Sequence, residues 1–178
     1  MAQPPSSPPT IETPRLVLDA HGAGDLDAFA AMWADLAVVR HIGGHPSSRQ
    51  ESWHRLLRHR GHWAVLGFGY WAVRERRTGR FVGDVGFAEF RRAIEPSIEG
   101  VPEAGWVLAP WAHGQGYASE ALAAALGWLD GGGLHRRAVC LVAGDNHASL
   151  RVAEKAGFLP AGAVTAGMED TRLLSRER

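Results

Sequence analysis

Apolar residues recur in this chain with two rhythms, and the places where the rhythm changes predict its elements. Arg15 to Asp19 alternates around Leu16 and Leu18 and predicts a first strand. Gly22 and Gly24 interrupt it, Asp25 stands where a helix cap would, and Leu26 to Trp33 follows helical spacing. The Ser47-Ser48 pair opens a second helical stretch, Ser48 to Arg60, with Trp53, Leu56 and Leu57 on one side. The middle of the chain is strand-rich. Tyr70 to Glu75 and Phe81 to Phe90 flank a turn at Arg76 to Gly79, whose Thr78-Gly79 pair signals a hairpin. A proline-bearing loop, Ala93 to Pro102, leads to a strand at Glu103 to Leu108, which Pro110 stops.

The last third alternates helix and strand. Ala118, Ala121, Leu122, Ala125, Leu126 and Leu129 share one helical face, ended by Gly131 to Gly133. Arg137 to Ala143 reads as a buried strand. Asn146 to Ala156 reads as a helix capped by Asn146, stopped by Gly157, with Lys155 near its negative end. Phe158 onward supplies one or two closing strands. An antiparallel first half running into a βαβ unit predicts an α+β sheet whose order reverses, and ligands bind at such reversals.

Composition narrows the function classes. At 178 residues the chain suits one domain, expected over 11–178 behind a loose, proline-rich tail at 1–10. The 19 basic and 19 acidic residues cancel, so the chain lacks the single-sign field that draws in nucleic acid or an anionic membrane, and neither is an expected partner. The single cysteine, Cys140, lies in the apolar run Ala138 to Ala143; it is expected to be a buried strand residue, and the chain to be cytoplasmic. Met1 to Thr10 has no apolar stretch and does not read as a signal peptide. His54, His59 and His62 lack an acidic or cysteine partner at helical spacing, so no metal site is expected there. Trp53, Trp63, Trp71 and Tyr70 are expected mostly in the core, with one or two lining a cleft.

Candidate chemistry concentrates between the strand ending at Leu108 and the helix beginning near Ala118. Gly114, Gly116 and Ala118 remove bulk on alternate residues just where helix-start N–H groups lack partners. Such donors, with about half a positive charge from the helix dipole, suit a diphosphate. Two other nucleotide patterns fail here. The dinucleotide fingerprint needs a glycine where Ser119 stands, and an acidic residue where Leu134 to Arg136 lie. The nucleotide-hydrolase loop needs Gly-Lys followed by Ser or Thr, whereas the only lysine is Lys155, between Glu154 and Ala156.

His113-Gly114-Gln115-Gly116-Tyr117-Ala118 resembles the Gln/Arg-x-x-Gly-x-Gly/Ala signature of the GCN5-related N-acetyltransferases, with His113 standing where Gln or Arg is usual. Four further stretches resemble the branch containing the ribosomal-protein alanine and serine N-acetyltransferases: Thr13 to Leu18, Gly83 to Phe87, Glu103 to Leu108 and Asn146 to Phe158. The resemblance implies a bent, V-shaped mixed sheet flanked by helices and split between the strands Glu103 to Leu108 and Arg137 to Ala143. It implies acetyl-CoA as cosubstrate, its pantetheine arm against the main chain of Trp106, Val107 and Leu108. Its diphosphate would meet main-chain N–H groups of Gly114, Gln115, Gly116, Tyr117 and Ala118, with His113, Asn146 and Ser149 also in contact with the cofactor.

The implied reaction is direct attack of a primary amine, on a peptide N-terminus or a small molecule, on the thioester. Ser149 is the candidate acid, with Tyr117 second, and Glu103, at the start of the strand beside the reacting centre, is the candidate base. Glu120 reads as a favourable charge at a helix start. A non-catalytic acyl-CoA-binding module is the alternative, and a homodimer is compatible with the resemblance.

Overall fold

Neighbouring strands in this protein run antiparallel except at one place, where they also come apart. The computed structural model describes residues 6–178 apart from 133, 134, 166, 167 and 169. Its strands are β1 (Ile11–Glu12), β2 (Leu16–Asp19), β3 (Tyr70–Glu75), β4 (Phe81–Ala88), β5 (Glu103–Leu108), β6 (Arg137–Ala143), β7 (Leu159–Ala163) and β8 (Thr171–Glu177). They form one sheet in the order β1-β2-β3-β4-β5-β6-β8-β7. Helices α1 (Leu26–Trp33), α2 (Leu36–Val39), α3 (Arg49–Leu66), α4 (Tyr117–Gly132) and α5 (His147–Lys155) flank it. Among the described residues, no helix is long and apolar enough to cross a membrane.

β5 pairs with β4 along its whole length, from Glu103 opposite Ala88 to Leu108 opposite Gly83. β6 pairs with β8 from Arg137 to Ala143. Between β5 and β6 the parallel register holds only Glu103 opposite Val139, with Val139 N–H donating to the Pro102 carbonyl at 3.0 Å. Past that point the strands splay. The antiparallel first half and the βαβ second half expected from the sequence are therefore two sheet wings joined at one end, and the open end faces the carboxyl ends of both strands.

Burial on both faces explains the apolar centre. Every residue of β4 is buried. Trp71 and Val73 of β3 join the core that holds Leu122, Ala125 and Leu129 of α4, while Ala72 between them joins Phe29, Met32 and Leu56 on the opposite face. Trp63, Trp71 and Trp128 meet edge to face at 4.7–5.2 Å, so two of the tryptophans expected in the core are there. Cys140 is fully buried, and burial first, then Glu103, pushes its thiol up to about 12.

Most predicted bounds hold within a residue or two; the departures have local causes. α3 continues to Leu66 rather than ending at Arg60, because Trp63 is buried with its Nε1 donating to the Tyr70 carbonyl at 3.1 Å. That anchor outweighs the cost of Gly61 in a helix, about 1 kcal/mol. Ser48 caps it reciprocally with Glu51, and Gly67, at φ 74°, ends it. The short β1 and α2 carry too few residues for a period to register. Asp25 heads α1, but its carboxylate turns back to Gly22 N–H (2.8 Å) and pairs with Arg74. Of the expected tail, residues 1–5 lie outside the described residues; Pro8 is buried and the Pro9 carbonyl accepts from Trp71 Nε1 at 2.8 Å.

His21 is buried beside Phe29 and His59. Burial lowers its pKa to about 4, Asp25 opposing the shift and Arg74 and Arg60 adding to it. In the unfolded chain a histidine binds its proton near 6.5, so between 6.5 and about 4 the unfolded state holds the extra proton. His21 therefore contributes fully above that window and loses about 3 kcal/mol through it. Urea melts from pH 7 to 4 should show this loss, and His21→Leu should flatten the curve there; parallel curves for the two proteins would refute the assignment.

Candidate active site

The turn after β5 owes its shape to two glycines. Pro110 to Ala112 make one 3₁₀ turn, and Gly114 (φ 72°) and Gly116 (φ 78°) then bend the chain through the left-handed region into α4. A side chain at either position would cost about 1–2 kcal/mol. The first bond of the helix runs from Glu120 N–H to the Gly116 carbonyl at 3.1 Å. The main-chain N–H groups of residues 114–119 have no acceptor among the described residues. Free donors thus stand where the sequence reading expects an anion cradle, with the positive end of α4 behind them.

Residues far away in sequence hold this turn. Thr13 Oγ1, Arg15 N–H and Arg15 Nε all donate to the Glu120 carboxylate, at 2.7, 2.9 and 2.6 Å. Arg15 Nη1 donates to the Gln115 carbonyl at 2.8 Å, and its guanidinium lies 4.7 Å over the Tyr117 ring. Burial raises the Glu120 pKa, but the bonds from Thr13 and Arg15 outweigh it and hold the carboxyl below its usual range. Glu120 is thus more than a helix-start charge: it locks the strand-leading segment onto the turn. His113 Nε2 donates to the Leu108 carbonyl at 2.9 Å, tying the turn to the end of β5.

A cavity of about 440 Å³ opens beside the turn, lined by Trp106, Val107, Leu108, His113, Gly114, Gly116, Tyr117, Ala118, Asn146 and Ser149 among others. Arg40, Arg151 and Lys155 also line it, and none has a carboxylate partner among the described residues, so its field is positive. These ten residues are the set expected from the sequence to meet the cofactor, except Gln115. The Gln115 side chain donates instead to the Trp111 carbonyl at 2.6 Å, and its own carbonyl accepts from Arg15 Nη1. Tyr117 lines the cavity, but its hydroxyl donates to Glu75 on β3 at 2.9 Å, and that bond raises its pKa. Ser149 lies at the start of α5, where the Asn146 side chain caps its N–H at 3.1 Å.

A second cavity, about 490 Å³, adjoins the first and shares Trp106, Val107, Asn146, Ser149, His41 and Ile42 with it. Glu103 lines it, yet both carboxylate oxygens are engaged by Arg92, at 2.8 and 2.9 Å. Asp84 lines it too, fully buried, with neither oxygen hydrogen-bonded among the described residues. Burial pushes the Asp84 carboxyl well above its ordinary range, Arg55 pulling the other way. His59 Nδ1 stands 3.6 Å from Asp84, and its ring stacks on Tyr70 at 4.4 Å. Burial, with His21 next, keeps His59 neutral. Gly105 makes room for Tyr70, since a Cβ there would sit 1.9 Å from the Tyr70 hydroxyl.

Asp84 and Arg92 escaped the sequence reading. The signal for Asp84 was present: an acid inside the otherwise apolar run Phe81 to Phe87 of a central strand. Of the histidines first considered as a group, only His59 lies in the cluster with His21 and Asp84, whose donor atoms lie within 4.8 Å of one another. Two imidazoles and a carboxyl are a donor set a divalent ion accepts.

Comparison with known proteins agrees with this architecture. Residues 15–159 match the family model described as an acetyltransferase (GNAT) domain. An uncharacterized Bacillus subtilis protein, YkkB, is 35% identical over 92 residues, covering 52% of this chain and 51% of that protein, so the match spans about half of each. A Bordetella pertussis structure described as a GNAT-family acetyltransferase is 29% identical, with TM-score 0.82, covering 95% of this chain and 99% of that one. RimL, a ribosomal L7/L12 alpha-N-protein acetyltransferase solved with coenzyme A, shares the fold at 21% identity and TM-score 0.74, over 95% and 98% of the two chains. With its glycine turn at the head of α4 and its sheet parted between β5 and β6, the chain belongs to the GNAT acetyltransferase family.

Proposed function

We propose that the protein moves the acetyl group of acetyl-CoA onto a primary amine by direct attack, through the point where its two cavities meet. The observation that carries this reading is the row of free N–H groups at residues 114–119, set beside an edge of β5 that has lost its neighbour. Acetyl-CoA supplies an acyl group already activated as a thioester. The main-chain N–H groups of Gly114 to Ala118 hold the diphosphate, Arg40, Arg151 and Lys155 balance its charge, and the edge from Trp106 to Leu108 aligns the pantetheine arm. A main-chain N–H near Trp106 or Val107 faces the developing oxyanion, a contribution of a few kcal/mol.

The proton steps fall to side chains around the junction. A lysine-like amine costs about 4.6 kcal/mol to neutralise at pH 7, and an N-terminal amine about 1.1. Asp84 suits the role of base better than Glu103, because its oxygens are free and its carboxyl is tuned toward neutrality, while Glu103 is occupied by Arg92. Glu103 then serves to fix Arg92. Protonating the leaving thiolate is worth only about 2 kcal/mol near pH 7, within reach of a hydroxyl. Ser149, which lines both cavities, is the better-placed acid, since the Tyr117 hydroxyl is committed to Glu75.

Two outcomes test this reading. Gly116→Val should weaken coenzyme A binding at least about tenfold by calorimetric titration while helix content is kept, since φ 78° strains any β-branched residue; unchanged affinity removes the cradle from the mechanism. Asp84→Asn should lower kcat/KM by about 10²–10³ and erase the acidic limb of its pH profile, leaving coenzyme A affinity intact. If Glu103→Gln did this and Asp84→Asn did not, the base would be Glu103. Absence of thiol release with every amine, coenzyme A still binding, would return the chain to a non-catalytic binding module.

A further inference from the structure

The charges lining the second cavity do not balance, and the imbalance points to the acceptor. The full charges there belong to Arg55, Arg58, Arg92, Asp84 and Glu103, with His41 and His59 beside them. Arg92 and Glu103 close on each other. Asp84 faces His59 at 3.6 Å and lies beyond ion-pair distance of both remaining arginines, burial keeps His59 neutral, and His41 lies 3.2 Å from Asp145. Arg55 and Arg58 remain, one helical turn apart on α3, with no carboxylate within 4.0 Å among the described residues.

Arg55 is built to grip something flat. Its guanidinium lies 3.7 Å over the Trp33 ring, and its only hydrogen bond among the described residues runs from Nη1 to Ser47 Oγ at 3.0 Å. Stacking on the ring occupies one face of the guanidinium and leaves its remaining N–H donors without an acceptor among the described residues, on a side chain that lines the cavity. The side chain is half-buried, and burial and Arg58 both work against its charge, while Asp84 and Glu51 oppose them from beyond ion-pair distance. A half-buried cation with idle donors is costly unless an anion meets it. Arg58 flanks the ring of Phe90 at 5.3 Å and adds a second positive charge at the mouth.

We infer that this cavity accepts small primary amines carrying a two-oxygen anion, a carboxylate or a phosphate, clasped by Arg55 with Arg58 alongside. The inference rests on the acetyl-transfer reading above. The volume of about 490 Å³ matches a small-molecule site. A polyamine would bring ammonium groups against two uncompensated guanidiniums, whereas an anionic amine cancels their charge and leaves its amino group free to reach Asp84. Trp33, Tyr70 and Phe90 supply apolar walls between those two ends.

Initial rates of thiol release with acetyl-CoA test this on matched acceptors: an α-amino acid and its carboxamide, an aminoalkyl phosphate and the corresponding amino alcohol, a diamine, and a neutral peptide N-terminus. At least one anionic acceptor should exceed its neutral partner about tenfold in kcat/KM, and the two anionic arms tell carboxylate from phosphate. Arg55→Gln should collapse that ratio toward one through KM, and Arg58→Gln, at an exposed position, should reduce it in a protein whose melting temperature is kept. Arg55→Glu should turn the preference toward the diamine. The inference is overturned, with acetyl transfer left standing, if neither anionic acceptor exceeds its neutral partner, if the diamine or the peptide matches the better anionic acceptor, or if the ratio is unchanged in both glutamine variants. No transfer to any amine overturns the enzymatic reading itself.

Discussion

The parting of β5 from β6 is the constraint on which the remaining structure depends. Polar main-chain groups inside a protein must find partners, and a strand edge left open in the middle of a sheet is an unmet demand. Here the register stops after Glu103 and Val139, so Ala104 to Leu108 keeps β4 on one side and faces a cleft on the other. That demand can be met by an extended ligand lying where a strand would lie. The glycine turn sits at the end of the same edge, so the row of donors continues from the strand into the head of α4.

Keeping the wedge open requires that each wing be rigid without help from the other. β4, buried along its whole length, anchors the first wing between two helix layers. The second wing is tied through β8, which inserts between β6 and β7. The turn itself is stabilised from the first wing by Thr13 and Arg15 acting on Glu120, an arrangement that sets the cradle relative to β5 rather than leaving it to the helix alone. Charge-assisted bonds are worth about 1.5–3 kcal/mol each at best, and these, part-buried at Thr13 and exposed at Arg15, contribute less.

Electrostatics divides the cleft into two regions. The first cavity is positive through main-chain donors and three cations that have no carboxylate partner among the described residues, a field suited to phosphates. The second carries an ion pair, a buried carboxyl with free oxygens, and two arginines without counter-charges. Ser149 and Trp106 stand where the two meet. Burial is the common cause: it raises the Asp84 carboxyl, neutralises His21 and His59, and makes Arg55 costly to leave alone.

What the residues alone determined is everything of short range. Periodicity placed the strands and helices, because side-chain direction repeats every two or 3.6 residues regardless of context. Gly114 and Gly116 announced the turn, because left-handed backbone is open to glycine and few others. The Asn146 cap is likewise local. Tertiary structure decided what depends on distant partners: that the parallel strands splay after one register pair, that Glu103 is held by Arg92, that Tyr117 gives its hydroxyl to Glu75, and that Asp84 meets His59 and His21. No period in the chain encodes those meetings, since they arise only when separate elements pack and the desolvation of each polar group is settled by whatever lies across from it.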